Sequence, residues 1–163
     1  MQRDDDVLVL VAHGTRSARG VEMVAALAEA VGKRVGRTRV AFVDVLGPSP
    51  SEVLRDTPGR AILVPAFLAS GYHVHTDVRR EVAISEHPTV TVTPALGPDP
   101  ALARVLLRRL TEAGWNPGDA IVLAAAGSSD ARALRDVERA ALMLAEAAGI
   151  RWTSDTSRPG NRR

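Results

Sequence analysis

The stretch "VLVLVAHGTR", residues 7–16, joins an apolar run to a histidine, a glycine and a polar turn. The run at 7–12 is apolar at every position, which is typical of a strand covered on both faces. A histidine directly after such a strand lies at the edge where open α/β sheets bind their ligands. This stretch therefore predicts the class of fold and the edge of the sheet that holds a site.

Four further apolar runs follow this one, and helical patterns separate them. "SPSE", at 49–52, has the pattern of a capping box with a proline at the first helical position. The alternation predicts an α/β fold, a doubly wound parallel sheet of four to five strands with helices on both faces, in flavodoxin-type order. The further strands are predicted at 40–46, 61–68, 89–95 and 120–126, and the helices near 19–32, from 50, from 76 or 77 to 85, from 100 to 114 and over 130–148.

The composition narrows the classes of protein. Hydrophobic residues make up 45% and charged residues 25%, which indicates a soluble globular protein. The 21 basic residues nearly balance the 19 acidic ones and form no basic stripe with aromatics, so we expect no nucleic-acid partner. Without cysteine, thiolate metal sites are excluded. No long apolar run follows the acidic start, so we expect a cytoplasmic protein with no membrane partner.

The chain contains an internal repeat. Aligning Gly14 with Gly127 makes residues 10–24 resemble residues 123–137. In this alignment His13 corresponds to Ala126, so the second copy keeps the glycine turn but lacks the imidazole. This difference favours a chemical role for His13. The predicted organisation is an α/β domain at 1–118, the first βα unit of an incomplete second repeat at 119–149, and a disordered basic tail at 150–163.

Two more histidines stand in "GYHVHTD", residues 71–77, just past the third strand. The first and third strands are neighbours in flavodoxin-type order, so His13 and His73 are expected to converge at one edge, although each could simply occupy a loop. Imidazole nitrogens without thiolates suit Co, Ni, Fe, Cu and Zn better than Mg or Ca. Such a ligand set, with His75 close by, predicts an open and rather weak metal site.

Charged residues follow the same two strand ends. Asp77 either orients an imidazole as its hydrogen-bond partner or caps the next helix. Arg16, Arg79 and Arg80 either line a mouth that attracts an anion or lie on ordinary solvated surface. His87, which precedes a proline, is interpreted as a solvated loop residue.

Together "VLVAHGTR" (9–16) and "VPAFLASGYHVHTD" (64–77) resemble the class II sirohydrochlorin chelatases, which insert cobalt or iron in siroheme and cobalamin biosynthesis. The resemblance implies that His13 and His73 bind metal and are catalytic. His75 is added as a metal ligand from its proximity alone. The implied substrates are a sirohydrochlorin-type anionic tetrapyrrole and a divalent ion, Co²⁺ or Fe²⁺ with Ni²⁺ as a third candidate, with no organic cofactor. The arginines would then bind the carboxylates of the ring.

The second half of the two-repeat members is incomplete in this sequence. The resemblance therefore implies that the chain completes its cleft as a homodimer or is impaired. One alternative is a non-catalytic metal-binding or tetrapyrrole-binding remnant. Another is a metallohydrolase, since "HVHTDV" matches the first five positions of H-x-H-x-D-H, with Val78 in place of the last histidine. A histidine phosphatase is less consistent, because Ala12 precedes His13 where an arginine is expected.

Overall fold

The computed structural model describes residues 6–69, 71 and 76–153. The chain forms two compact units, Met1–Gly97 and Pro98–Arg163. The predicted division at residue 118 concerns the start of a repeat, and it stays a prediction.

The first unit is built on a four-stranded parallel sheet. Its strands are β1 (Val7–Ala12), β2 (Thr38–Phe42), β3 (Ala61–Pro65) and β4 (Val90–Val92), and their spatial order is β2-β1-β3-β4. This order confirms the flavodoxin-type arrangement. β1 pairs directly with β3 in a register that sets Val7 beside Ala61 and Val11 beside Pro65. The chain segments that follow β1 and β3 therefore leave the sheet at the same edge, which we call the carboxyl edge.

Three helices connect these strands: α1 (Ala18–Val35), α2 (Pro50–Arg55) and α3 (Val78–Ser85). The chain moves one way from β1 to β2 and the other way from β2 to β3, so right-handed crossovers place α1 on one face of the sheet. The other face carries α2 and α3, which pack against each other. The core that results is aliphatic, and its fully buried members are Val7, Val9, Val11, Ala41, Val53, Leu54, Ala61, Leu63 and Val78.

The start of α2 has the capping geometry that its sequence predicts. The Ser49 hydroxyl accepts a hydrogen bond from the backbone N–H of Glu52, and the Glu52 carboxylate accepts one from the backbone N–H of Ser49. Pro50 occupies the first helical position, where no backbone N–H is needed. A helix of only six residues depends on such terminal bonds more than a long one does.

The second unit contains two helices, α4 (Pro100–Glu112) and α5 (Ala131–Ala148), which pack against each other. Each helix begins after an aspartate whose side chain accepts a backbone hydrogen bond, Asp99 before α4 and Asp130 before α5. Among the described residues of this unit the buried side chains are four alanines and one leucine, namely Ala103, Ala133, Ala141, Leu144 and Ala145.

The prediction of a fifth strand at 120–126 is wrong, because the structure has no strand there. Ile121 and Leu123 lie against α5, while Val122 between them is 88% exposed. This alternation is that of a strand with one covered face. Among the described residues, however, no neighbouring strand forms a hydrogen-bond ladder with the segment, and a strand is stable only within such a ladder.

The two longest described helices, α1 and α5, have eighteen residues each. Neither of them, nor any shorter helix in the described part of the chain, carries an apolar stretch that could span a bilayer.

Candidate functional site

The carboxyl ends of β1, β2 and β3 are joined by backbone hydrogen bonds that extend just beyond the strands. Ala66 N–H donates to the Val11 carbonyl at 2.7 Å, and Val43 N–H donates to the Ala12 carbonyl at 3.1 Å. His13 follows directly and is exposed, whereas Ala12 before it is buried. The first strand thus carries His13 to the centre of the carboxyl edge, with the loops after β2 and β3 on either side.

The ring of His13 has a defined hydrogen bond on one nitrogen. Its Nδ1 lies 2.9 Å from the Gly14 carbonyl oxygen. A carbonyl only accepts hydrogen bonds, so Nδ1 carries the proton of this bond. The neutral ring is then the Nδ1–H tautomer, which has its lone pair on Nε2, as a ring that ligates a metal or accepts a proton through Nε2 requires.

Gly14 fixes the loop after β1 against the loop after β2. A Cβ atom at this position would lie 1.8 Å from the Asp44 carbonyl oxygen and 3.0 Å from the Leu46 backbone nitrogen. Only glycine allows two backbones to approach so closely. The loop that Gly14 touches is a tight turn, in which Leu46 N–H donates to the Asp44 carbonyl at 2.7 Å and Val45 has a φ of 67°.

The loops after β3 and β4 are joined in a similar way. Gly97 N–H donates to the Phe67 carbonyl at 2.9 Å, and Leu96 N–H donates to the Pro65 carbonyl at 3.1 Å. A Cβ atom on Gly97 would lie 2.4 Å from the Leu68 carbonyl oxygen, so glycine is required here too. The four loops of the carboxyl edge therefore form one backbone-bonded layer.

His73 and His75 lie outside the described residues. Their convergence with His13, and the three-histidine metal site, therefore stay predictions. Within residues 6–69, 71 and 76–153, no group of three or more His, Cys, Asp or Glu side chains could hold a metal ion.

Asp77 immediately precedes α3 and is half-buried. Its side chain makes no capping hydrogen bond to the helix, so capping does not explain it. Its other predicted role, as a hydrogen-bond partner of an imidazole, involves His73 or His75, which lie outside the described residues, and it stays a prediction.

The three predicted anion-binding arginines are exposed at the carboxyl edge. Arg16 lies in the loop between β1 and α1, and Arg79 and Arg80 lie in the first turn of α3. Helices that follow parallel strands begin at this edge, so the positive ends of the α1 and α3 dipoles are here as well. The first turn of α1 contains no acidic residue to offset that field.

His87 is not the solvated loop residue that its sequence context suggests. It is half-buried, its Nε2–H donates to the Thr57 carbonyl at 2.9 Å, and its Nδ1 accepts from the Thr89 N–H at 3.2 Å. These bonds join the segments that precede β3 and β4, at the end of the sheet opposite to His13. His87 is therefore a structural histidine.

Two features of the carboxyl edge were missed by the sequence analysis. The first is the turn at Val45, and the second is the contact between Gly97 and the Leu68 carbonyl. Gly97, in "LGPDP", was the available signal for the second feature. No local pattern signals a valine with a positive φ, because that conformation is imposed by the loop that contacts it.

This fold and this edge define a flavodoxin-like α/β protein that presents an imidazole at the carboxyl end of its central strand pair. The CbiX family model matches residues 7–113, and the chain belongs to this family. The family resemblance inferred from the two histidine segments is thereby confirmed. No curated protein matches the chain.

Solved structures show the same fold. A CbiX protein assigned to cobalamin (vitamin B12) biosynthesis in Marinobacter aquaeolei VT8 is 26% identical with a TM-score of 0.57, over 66% of this chain and 96% of that one. SirB from Bacillus subtilis, solved with Fe³⁺, is 24% identical with a TM-score of 0.75, over 87% of this chain and 61% of its own.

A second SirB structure extends this comparison. The sirohydrochlorin chelatase SirB from Bacillus subtilis subspecies spizizenii, in complex with cobalt, is 19% identical with a TM-score of 0.72, over 90% of this chain and 64% of its own. The chain thus spans less than two thirds of either SirB protein, and these two likenesses establish the fold.

Proposed function

We propose that this protein is a chelatase that inserts a divalent metal, Co²⁺ or Fe²⁺, into a sirohydrochlorin-type tetrapyrrole. The observation that carries the proposal is the parallel pairing of β1 with β3, with Val11 beside Pro65. Because of this pairing, the segment that begins with His13 and the segment that leads to His73 leave the sheet at the same edge. Membership of the CbiX family, and relatives solved with Fe³⁺ and cobalt, support this reaction.

In the proposed reaction His13 and His73 hold the incoming ion and take up protons. In this proposal the ligating atom of His13 is Nε2, since Nδ1 is bonded to the Gly14 carbonyl. Insertion replaces two pyrrole N–H protons by one divalent ion, so the two protons must pass to bases, and a neutral imidazole is a suitable base near neutral pH. No nucleotide or organic cofactor takes part in this stoichiometry.

The other predicted site residues bind the substrate or support the metal site in this proposal. The exposed guanidinium groups of Arg16, Arg79 and Arg80 bind the ring carboxylates, which are the anions that planar guanidinium matches best. Asp77 orients one imidazole of the set, and His75 adds a third metal ligand. A homodimer that closes the cleft over the ring is part of the same proposal.

The experiment follows the visible spectrum of metal-free sirohydrochlorin during anaerobic incubation with Co²⁺, Fe²⁺ or Ni²⁺. We expect the wild type to speed insertion and His13→Ala and His73→Ala each to lower the rate at least about 100-fold, the lower range for removing a proton-transfer group. The matched control is His87→Ala, which removes an imidazole at the opposite end of the sheet and should keep the rate per folded molecule.

Two results would contradict the proposal in different ways. Unchanged rates in both His13→Ala and His73→Ala would remove the histidine mechanism. Tight metal or tetrapyrrole binding by the wild type with no insertion would identify a non-catalytic binding protein instead. Light scattering during gel filtration, with and without the tetrapyrrole, tests the homodimer separately.

A further inference from the structure

Four exposed apolar side chains lie at the carboxyl edge of the first unit. Val45 is 48% exposed, Leu46 37%, Leu68 68% and Leu96 39%. They belong to the loops after β2, β3 and β4, while His13 belongs to the loop after β1. We call these four residues the apolar rim. A soluble protein leaves single apolar side chains exposed at random, but a group at a ligand-binding edge calls for an occupant.

The backbone contacts of the edge give the rim its layout. Gly14 touches the backbone at Asp44 and Leu46, so Val45 and Leu46 lie on the β2 side of His13. The hydrogen bonds of Leu96 and Gly97 to the loop after β3 put Leu68 and Leu96 on the other side. From β2 to β4 there are three inter-strand steps of about 4.8 Å, or about 14 Å in all. In the order of the loops along the edge, His13 therefore lies between the two pairs of apolar residues.

The turn at Val45 is strained, and its close contact with the backbone of Gly14 imposes the strained conformation. Val45 has a φ of 67°, and the bond from Leu46 N–H to the Asp44 carbonyl makes it the centre of a γ-turn of the rare positive-φ type. A β-branched residue is especially disfavoured there. The Asp44 carboxylate accepts a hydrogen bond from Val45 N–H at 2.7 Å, and Gly14 packs against the same turn. The outcome of this strain is a valine side chain that is half in solvent.

We propose that the apolar rim carries the flat face of the tetrapyrrole ring and holds the ring nitrogens over His13, with Val45 and Leu68 as positioning residues on its two sides. This inference rests on the proposed function. A tetrapyrrole of that class is apolar at the centre of its face and anionic at its periphery. The rim matches the first property, and the exposed Arg16 in the loop after β1 matches the second, so the edge offers both an apolar surface and a positive charge.

The strain at Val45 separates this role from a purely structural one. Replacing Val45 by glycine removes the steric conflict and should raise the midpoint of thermal unfolding. The same change removes an apolar contact with the ring and should weaken tetrapyrrole binding about tenfold, the loss expected for one aliphatic side chain. Opposite effects on stability and affinity are not expected of a residue that only supports the fold.

The test titrates metal-free sirohydrochlorin into the full chain without metal and follows its absorbance. Val45→Gly and Leu68→Ser should each raise the dissociation constant about tenfold. The matched control is Ile84→Ser, since Ile84 is 41% exposed in the last turn of α3, at the opposite edge of the sheet, and this variant should bind like the wild type. Co²⁺ binding should be equal in all four proteins.

The outcomes distinguish the rim from the proposed function. If the wild type binds the tetrapyrrole and both rim variants bind it equally well, the rim proposal is overturned and the proposed function stands. Loss of Co²⁺ binding in both rim variants would also overturn it, because the side chains would then act through the fold. If the wild type binds no tetrapyrrole, both the proposed function and the rim proposal are contradicted.

Discussion

At the scale of single residues, the carboxyl edge depends on the absence of a side chain at Gly14. A methyl group there would lie 1.8 Å from the Asp44 carbonyl oxygen, and both atoms belong to bonded backbone segments that cannot rotate away. We expect Gly14→Ala to lower the free energy of unfolding by about 1–3 kcal/mol, as overpacking does. Urea unfolding of the full chain measures this.

The matched control for that variant is Gly32→Ala in α1. The added Cβ would meet the Thr38 Oγ1 at 3.5 Å, an ordinary contact, and alanine favours the helix by about 0.5–1 kcal/mol over glycine. The same glycine-to-alanine change should thus lower the free energy of unfolding at Gly14 and raise it at Gly32. A Gly14→Ala protein as stable as the wild type would mean that the loops after β1 and β2 do not touch as described.

The residues of the edge were predictable to different degrees. His13 could be predicted because its signal is local, a polar residue directly after a continuous apolar run. The contact of Gly14 with Asp44 could not, since it depends on β2 pairing with β1 so that Phe42 stands beside Ala12. Val45 was likewise beyond prediction, because its conformation follows from that contact.

At the scale of elements, the capping box decides the stability of α2. The Ser49 hydroxyl accepts the Glu52 N–H bond, so Ser49→Ala should cost about 1 kcal/mol of unfolding free energy. Ser17 precedes α1 in the same way, but its side chain makes no capping hydrogen bond. Ser17→Ala is therefore the matched control and should change the urea midpoint little. Equal losses in the two variants would contradict the capping argument.

The same box gives α2 a pH dependence. The backbone N–H of Ser49, helped by its hydroxyl, donates to the Glu52 carboxylate and lowers the pKa of Glu52. A pKa that is lower in the folded state adds stability above the unfolded pKa, and this stability is lost as the pH falls through the folded value. The wild type should therefore exceed Glu52→Gln in urea midpoint at about pH 7, and the difference should vanish at about pH 3. A difference that grows in acid would refute this.

Helix and strand patterns predicted the elements well wherever a neighbour completes them. β1 has the predicted bounds, and it gains hydrogen bonds from β2 on one side and β3 on the other. The similar apolar run at 120–126 has no strand beside it among the described residues and stays irregular. Composition thus indicates that a segment can be a strand, but pairing decides whether it becomes one.

At the scale of the whole molecule, a doubly wound parallel sheet was predictable from two rules, alternation of strand and helix and right-handed crossovers, and the observed flavodoxin-type order is one of the common orders that these rules allow. Those rules bring the segments after β1 and β3 to one edge, so a site there could be inferred, whereas the family resemblance came from the residues of the two short motifs themselves. The same rules say nothing about how closely His73 approaches His13. That distance depends on the loop after β3, which no periodic pattern governs.

The first unit, Met1–Gly97, should fold by itself. It holds the complete sheet and α1 to α3, and every member of its buried core lies between Val7 and Val78. About 100 residues with one continuous aliphatic core is an ordinary size for an independent domain. We expect a chain cut after Gly97 to unfold in urea in one cooperative transition, and Leu63→Ala, at a position with no exposed surface, to lower its stability by about 2–5 kcal/mol. A gradual transition that Leu63→Ala leaves unchanged would show that the core needs the second unit, because a core that is packed on its own must respond to a cavity at its centre.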